Sequence, residues 1–92
     1  KIGDGRIWQL MGEDAIEFLH LEKNKNFNWS VEGEKGTTER TGTWSVKNNQ
    51  ILILNYSESK NTEEWNINEV YTFSMDMSQG DAEFEYRLFG YQ

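Results

Sequence analysis

Side chains suited to catalysis are sparse in this sequence. A Ser-His-Asp relay would have to pass through His20, which is the one histidine of the chain and lies between Leu19 and Leu21. No Gly-x-Ser-x-Gly motif is present, and without Cys there is neither a thiol nucleophile nor a thiolate metal ligand. We therefore expect His20 to be structural and the protein not to be an enzyme.

Closely spaced carboxylates are the next candidates, because paired Asp and Glu residues can serve as general acid and base. The pairs are Glu13-Asp14, Glu63-Glu64 and Glu83/Glu85. They fall in predicted loops or at outward strand positions, so we expect them to be solvated. The segment 76–81 has two Asp residues but lacks the alternating oxygen ligands and the closing Glu of a calcium loop. We predict a turn there, with no metal and no cofactor.

The four tryptophans, Trp8, Trp29, Trp44 and Trp65, all fall in predicted strands. Large rings bury much apolar area, so a role in the core accounts for them. The alternative is that one or two line a pocket, or form a flat platform for a sugar ring or a protein partner. If a cavity exists, the inward register predicts a ligand site formed by Trp29, Trp44, Phe73 and Tyr86.

The elements that would position these residues are β-strands. Thr41–Val46 alternates polar and apolar residues, Asn48-Asn49 suits positive φ at a turn, and Ile51–Leu54 is apolar, which together predict a hairpin. The same pattern recurs along the chain. It predicts seven strands, at residues 6–11, 15–23, 26–31, 37–46, 51–56, 65–77 and 82–91.

Short strands joined by tight turns predict an all-β antiparallel up-and-down meander, closed as a small barrel or half-barrel, with a sandwich as the alternative. We expect a bend near Gly42 and a bulge near Glu69 and Val70. The one competing helix covers residues 13–21, where Glu13-Asp14 would begin it.

Composition limits the classes of function. The 92 residues predict a single domain, 1–92. A net charge of −7 argues against nucleic-acid binding and against adsorption to anionic membranes. It is compatible with attraction to a basic partner. No apolar run approaches the roughly 18 residues of a membrane-spanning helix.

Four segments together resemble the lipocalin-like domains of exported bacterial proteins. They are Gly5-Arg6-Ile7-Trp8, Phe27-Asn28-Trp29, Gly42-Thr43-Trp44-Ser45-Val46 and Ile51-Leu52-Ile53-Leu54. The resemblance covers about three quarters of the chain and is a pattern of fold. It implies a non-enzymatic module that holds a small apolar or aromatic ligand between the inward strand faces.

The alternative function is an acidic protein-interaction domain, such as an immunity protein or inhibitor, which docks a basic partner. The chain begins at Lys1 without Met, so we expect either a processed product or a piece of a longer protein, and we expect it to be an exported bacterial protein. The sequence leaves its oligomeric state open.

Overall fold

The computed structural model describes residues 2, 4–11 and 16–91, with Tyr91 described by its backbone alone. These residues form an all-β fold of eight strands: β1 (Arg6–Leu10), β2 (Ile16–Leu21), β3 (Asn26–Gly33), β4 (Gly36–Lys47), β5 (Ile51–Tyr56), β6 (Thr62–Val70), β7 (Ser74–Gln79) and β8 (Ala82–Tyr91). Each strand pairs antiparallel with the next, and β8 pairs with β1, which closes the sheet into a barrel. The predicted up-and-down meander is thus confirmed in its closed form.

The turns follow the local chemistry of their residues. Asn48 and Asn49 both adopt positive φ, at 54° and 58°, between β4 and β5, as the Asn pair predicts. Gly80 has a φ of 61° in the two-residue connection between β7 and β8. These short connections hold neighbouring strands in register, so inward and outward side chains alternate along each strand.

One alternative is excluded and one prediction is wrong. Residues 16–21, assigned to the alternative helix, form strand β2 and so confirm the predicted strand there, while residues 13–15 lie outside the described residues. The predicted single strand 65–77 is two strands, β6 and β7, joined through residues 71–73. The expected bulge does occur, as a register shift between Ile67 and Glu69, and beyond it the chain turns back. Eight strands therefore replace the seven predicted.

The barrel interior is filled by apolar side chains from every strand. The buried hydrophobic residues are Ile2, Trp8, Leu10, Leu19, Leu21, Phe27, Trp44, Leu52, Leu54, Trp65, Met75, Met77 and Tyr86. Because successive strands run in opposite directions, the barrel has two ends with different connections. Residues 2, 4–5, 22–25, 48–50 and 71–73 lie at one end, and residues 34–35, 57–61 and 80–81 lie at the other.

The first of these, which we call the plugged end, is covered by two buried tryptophans. Trp8 Nε1 donates to the carbonyl oxygen of Ile2 at 3.0 Å, and Trp44 Nε1 donates to that of Glu22 at 2.9 Å. Backbone outside the strands thus satisfies both indole N–H groups where they would otherwise be buried without a partner. In the described part of the chain, no helix has the length and apolar character needed to cross a membrane.

Candidate functional site

At the opposite end, the barrel interior widens into a cavity of about 360 Å³. We call it the cup, and it is lined by Glu17, Trp29, Val31, Thr38, Arg40, Tyr56, Glu63 and Trp65. Five strands, β2 to β6, contribute these residues. A cavity of this size falls in the range of about 300–1,000 Å³ that is typical of small-molecule sites.

The floor of the cup is aromatic. Trp29 on β3 and Trp65 on β6 approach each other across the barrel, with ring centroids 5.6 Å apart. Phe84 packs edge-on against Trp65 at 5.5 Å. Since Trp65 is buried and Trp29 is half-buried, these rings separate the cup from the apolar interior beneath it.

Polar side chains form the wall above this floor. On one side, Glu63 Oε1 accepts hydrogen bonds from the Tyr56 hydroxyl at 2.6 Å and from Trp65 Nε1 at 3.0 Å. Burial, followed by the contact with Glu63, raises the pKa of Tyr56 from its ordinary value of 10.0 to about 12. The phenol is therefore neutral and remains a donor to Glu63 across the physiological pH range.

The other side of the wall carries a second carboxylate and a cation. Glu17 Oε2 accepts a hydrogen bond from the hydroxyl of Tyr86 at 3.0 Å. The guanidinium of Arg40 lies over the ring of Tyr56, with Cζ 5.5 Å from the ring centroid. Arg40 pairs with Trp29 across β3 and β4, so this exposed cation stands beside the half-buried indole.

One donor in the cup has no acceptor. The Nε1 atom of Trp29 is buried and makes no hydrogen bond with any described residue. Leaving a buried donor unpaired costs about 1–3 kcal/mol. The other three indole N–H groups of the chain are all bonded, which sets Trp29 apart.

The four residues predicted to bind a ligand do not share one cavity. Trp29 lines the cup, whereas Trp44 is 5% exposed and belongs to the plugged end. Tyr86 is 1% exposed and packs in the core. Phe73 is 71% exposed, in the connection between β6 and β7. Its predicted inward position is wrong because the chain turns back between β6 and β7 at residues 71–73, which leaves Phe73 outside both strands.

Sequence reasoning missed the polar residues of the cup. Glu63 was assigned to a solvated loop, but β6 begins at Thr62 and turns Glu63 inward. The signal was nevertheless present, because Glu63 has the same parity as the inward residues Trp65 and Ile67. Glu17 likewise shares the parity of Leu19 and Leu21. Extending each apolar register by one pair of residues would have found both carboxylates.

A second concavity, of about 510 Å³, lies on the outer wall of the barrel. This outer groove is lined by Ile7, Phe18, His20, Glu22, Asn28, Ser30 and Phe89. Phe18 and Phe89 meet edge to face at 4.7 Å, and Phe89 is 62% exposed. His20 is half-buried there, and its Nε2 has no hydrogen-bond partner among the described residues.

Within residues 2, 4–11 and 16–91, no group of three or more His, Asp or Glu side chains is arranged to hold a metal ion. Comparison of the chain with models of protein families, with curated proteins and with solved structures finds no match. The candidate sites therefore stand on their geometry and chemistry alone.

Proposed function

We propose that this protein is a non-enzymatic binding module that holds a small apolar or aromatic ligand in the cup. The observation that carries the proposal is the aromatic floor formed by Trp29 and Trp65, at the base of a cavity of about 360 Å³. Flat rings bury much area against an apolar or aromatic molecule. Because side chains fill the rest of the barrel, the ligand would sit at the mouth rather than deep inside.

The closed eight-stranded antiparallel barrel is an architecture that lipocalins share. We therefore extend the proposal to a lipocalin-like domain of an exported bacterial protein. The unpaired indole N–H of Trp29 favours a ligand that carries an oxygen atom. A ligand oxygen that reaches this donor would remove the cost of leaving it unsatisfied.

A neutral fluorescent probe, N-phenyl-1-naphthylamine, tests the proposal. We expect it to bind with a change in Trp emission and with an affinity that hardly depends on ionic strength, because apolar burial is not screened by salt. Trp29→Ala should abolish binding while the circular dichroism spectrum stays that of a β protein.

Two matched variants show where the probe sits. Phe73→Ala and Phe89→Ala remove exposed rings away from the cup and should leave the affinity unchanged. Loss of binding in Phe89→Ala would place the probe in the outer groove and contradict the proposal. Absence of any probe binding to the wild type would also contradict the proposal.

The second candidate function is an acidic interaction domain that docks a basic protein, as an immunity protein or inhibitor does. It is favoured by the outer groove, which is lined by both the exposed Phe89 and Glu22 on a chain of net charge −7. Its association rate should fall steeply as salt rises, since the Debye length is about 10 Å at 0.1 M ionic strength. Phe89→Ala should weaken that complex, and Trp29→Ala should not.

A further inference from the structure

We propose that the ligand of the cup is a small organic cation, with an ammonium group that sits between the carboxylates of Glu17 and Glu63 and above the tryptophan floor. This inference rests on the proposed function and narrows the class of ligand.

The carboxylates provide the first argument. Glu17 and Glu63 are both half-buried in the cup, and neither forms a salt bridge with a described Lys or Arg side chain. Their hydrogen bonds come from the neutral donors Tyr86, Tyr56 and Trp65. A carboxylate withdrawn from water is stabilised by a positive partner. An ammonium ion in the cup would supply that partner to both.

The rings provide the second argument. A cation over an aromatic face is attracted by the ring quadrupole, and tryptophan gives the strongest attraction. The cup already contains one such contact, between Arg40 and Tyr56 at 5.5 Å. The floor offers two further rings, Trp29 and Trp65, over which no cation of the described residues lies. An ammonium group above them would gain from both rings and carboxylates.

The overall charge of the chain provides the third argument for a cationic ligand. With nine basic and sixteen acidic residues, the chain has a net charge of −7, so its field attracts cations. Arg40 is the one cationic residue of the cup lining, and it is exposed at the side of the cup. Two carboxylates against one guanidinium leave the cup itself negative.

The decisive experiment compares choline with 3,3-dimethylbutan-1-ol, a neutral molecule of nearly the same shape. Isothermal titration calorimetry should show choline binding at least about tenfold more tightly than the alcohol, as a desolvated cation–π contact aided by carboxylates predicts. Equal binding of the two would overturn the cation while leaving the proposed apolar ligand site in place. Failure of choline to bind, when N-phenyl-1-naphthylamine does, would have the same meaning. Failure of all three would overturn both proposals.

Matched charge variants locate the cation. Glu17→Gln and Glu63→Gln each remove one negative charge but keep an oxygen that accepts the existing hydrogen bonds. Each should weaken choline binding several-fold, by roughly three- to tenfold. Glu83→Gln makes the same change in net charge at an exposed position outside the cup and should have no effect. A loss in Glu83→Gln alone would place the cation on the outer wall and overturn the inference.

Arg40→Gln gives a result of opposite sign. Removing the competing guanidinium should strengthen choline binding by about threefold, because like charges in one cavity repel. A cup that takes anions would instead lose affinity in this variant, and acetate would bind where choline does not. That outcome would also overturn the inference.

Discussion

At the plugged end, Trp8 and Trp44 donate their indole N–H groups to backbone carbonyls of Ile2 and Glu22. In the cup, by contrast, Trp65 donates to a side chain, that of Glu63, and Trp29 donates to no described acceptor. The first arrangement depends only on backbone that is already in place. The second leaves hydrogen-bonding capacity unused. The comparison shows that one residue type closes one end of the barrel and, at the other end, leaves a buried donor without a described acceptor.

The two ends also differ in whether a cation lies over their tryptophan rings. At the plugged end, the Lys25 ammonium lies 4.1 Å from the ring centroid of Trp44, so this ring makes a cation–π contact within the protein. The rings of Trp29 and Trp65 in the cup meet each other instead. Substitutions at the plugged end and in the adjoining wall should therefore lower stability, whereas substitutions in the cup should chiefly alter binding.

The largest effect on stability is expected from Gly42→Ala, in the wall between β3 and β5. A Cβ at Gly42 would collide with the backbone carbonyl oxygen of Asn55 and would lie 2.8 Å from Cε2 of Phe27. Because a paired backbone cannot move aside locally, we expect a loss above about 4 kcal/mol, measured by urea unfolding. Gly33→Ala is the matched control, since its Cβ would meet nothing within 4 Å. Similar stabilities for the two variants would refute the close approach.

Trp44→Ala comes next and tests the plugged end directly. The ring is 5% exposed and its N–H is bonded to Glu22, so truncation should cost about 3–5 kcal/mol. Urea unfolding followed by circular dichroism measures this loss. A change within about 0.5 kcal/mol would mean that the ring contributes little to the core.

The strands were predictable because local chemistry and alternation agree over most of the chain. Phe27, Trp29 and Val31 alternate inward as their spacing predicts, and the Asn48-Asn49 turn has the positive φ expected of it. The failure at Phe73 has a physical cause. A spacing of two continues in the sequence through Tyr71 and Phe73, but the chain turns back at residues 71–73 and leaves both side chains outside the strands. The position of that turn depends on strand pairing, which a single segment does not encode.

The cup was only partly predictable. Trp29 was found because it is aromatic and has inward parity. Glu63 was expected to be solvated because it falls in a predicted loop, and Glu17 was not among the predicted site residues, since charge usually indicates exposure. Glu63 meets Tyr56 across the neighbouring strands β5 and β6, but Glu17 meets Tyr86 only because the barrel closes and brings β8 beside β1. Closure is a property of all eight strands together, so no local pattern indicates that Tyr86 is the partner of Glu17.

Trp29→Ala should lower the free energy of unfolding less than Trp44→Ala does. Measuring both losses tests the difference between the two ends. The Trp29 ring is half-buried and its N–H has no described acceptor, so we expect a loss of about 1–2 kcal/mol. The same urea series that measures Trp44→Ala gives this value. A loss as large as that of Trp44→Ala would show that both ends are structural, and the distinction would fail.

The smallest effect is expected at the polar wall of the cup, through the ionisation of Tyr56. Its pKa is raised to about 12 by burial and by Glu63, so the folded state holds this proton more tightly than the unfolded state does. The associated stability is fully present below about pH 10 and is lost as the pH rises through about 12. Because the ring is half exposed, solvent screening limits the loss to roughly 1 kcal/mol. Urea unfolding of the wild type and of Tyr56→Phe from pH 8 to 12 should show a stability difference that shrinks above pH 10. The difference in phenolate absorbance between the two proteins should titrate near pH 12, and Glu63→Gln should lower that midpoint. A midpoint near 10 would mean that Tyr56 is not held by Glu63, and that the wall of the cup lacks the order its hydrogen bonds imply.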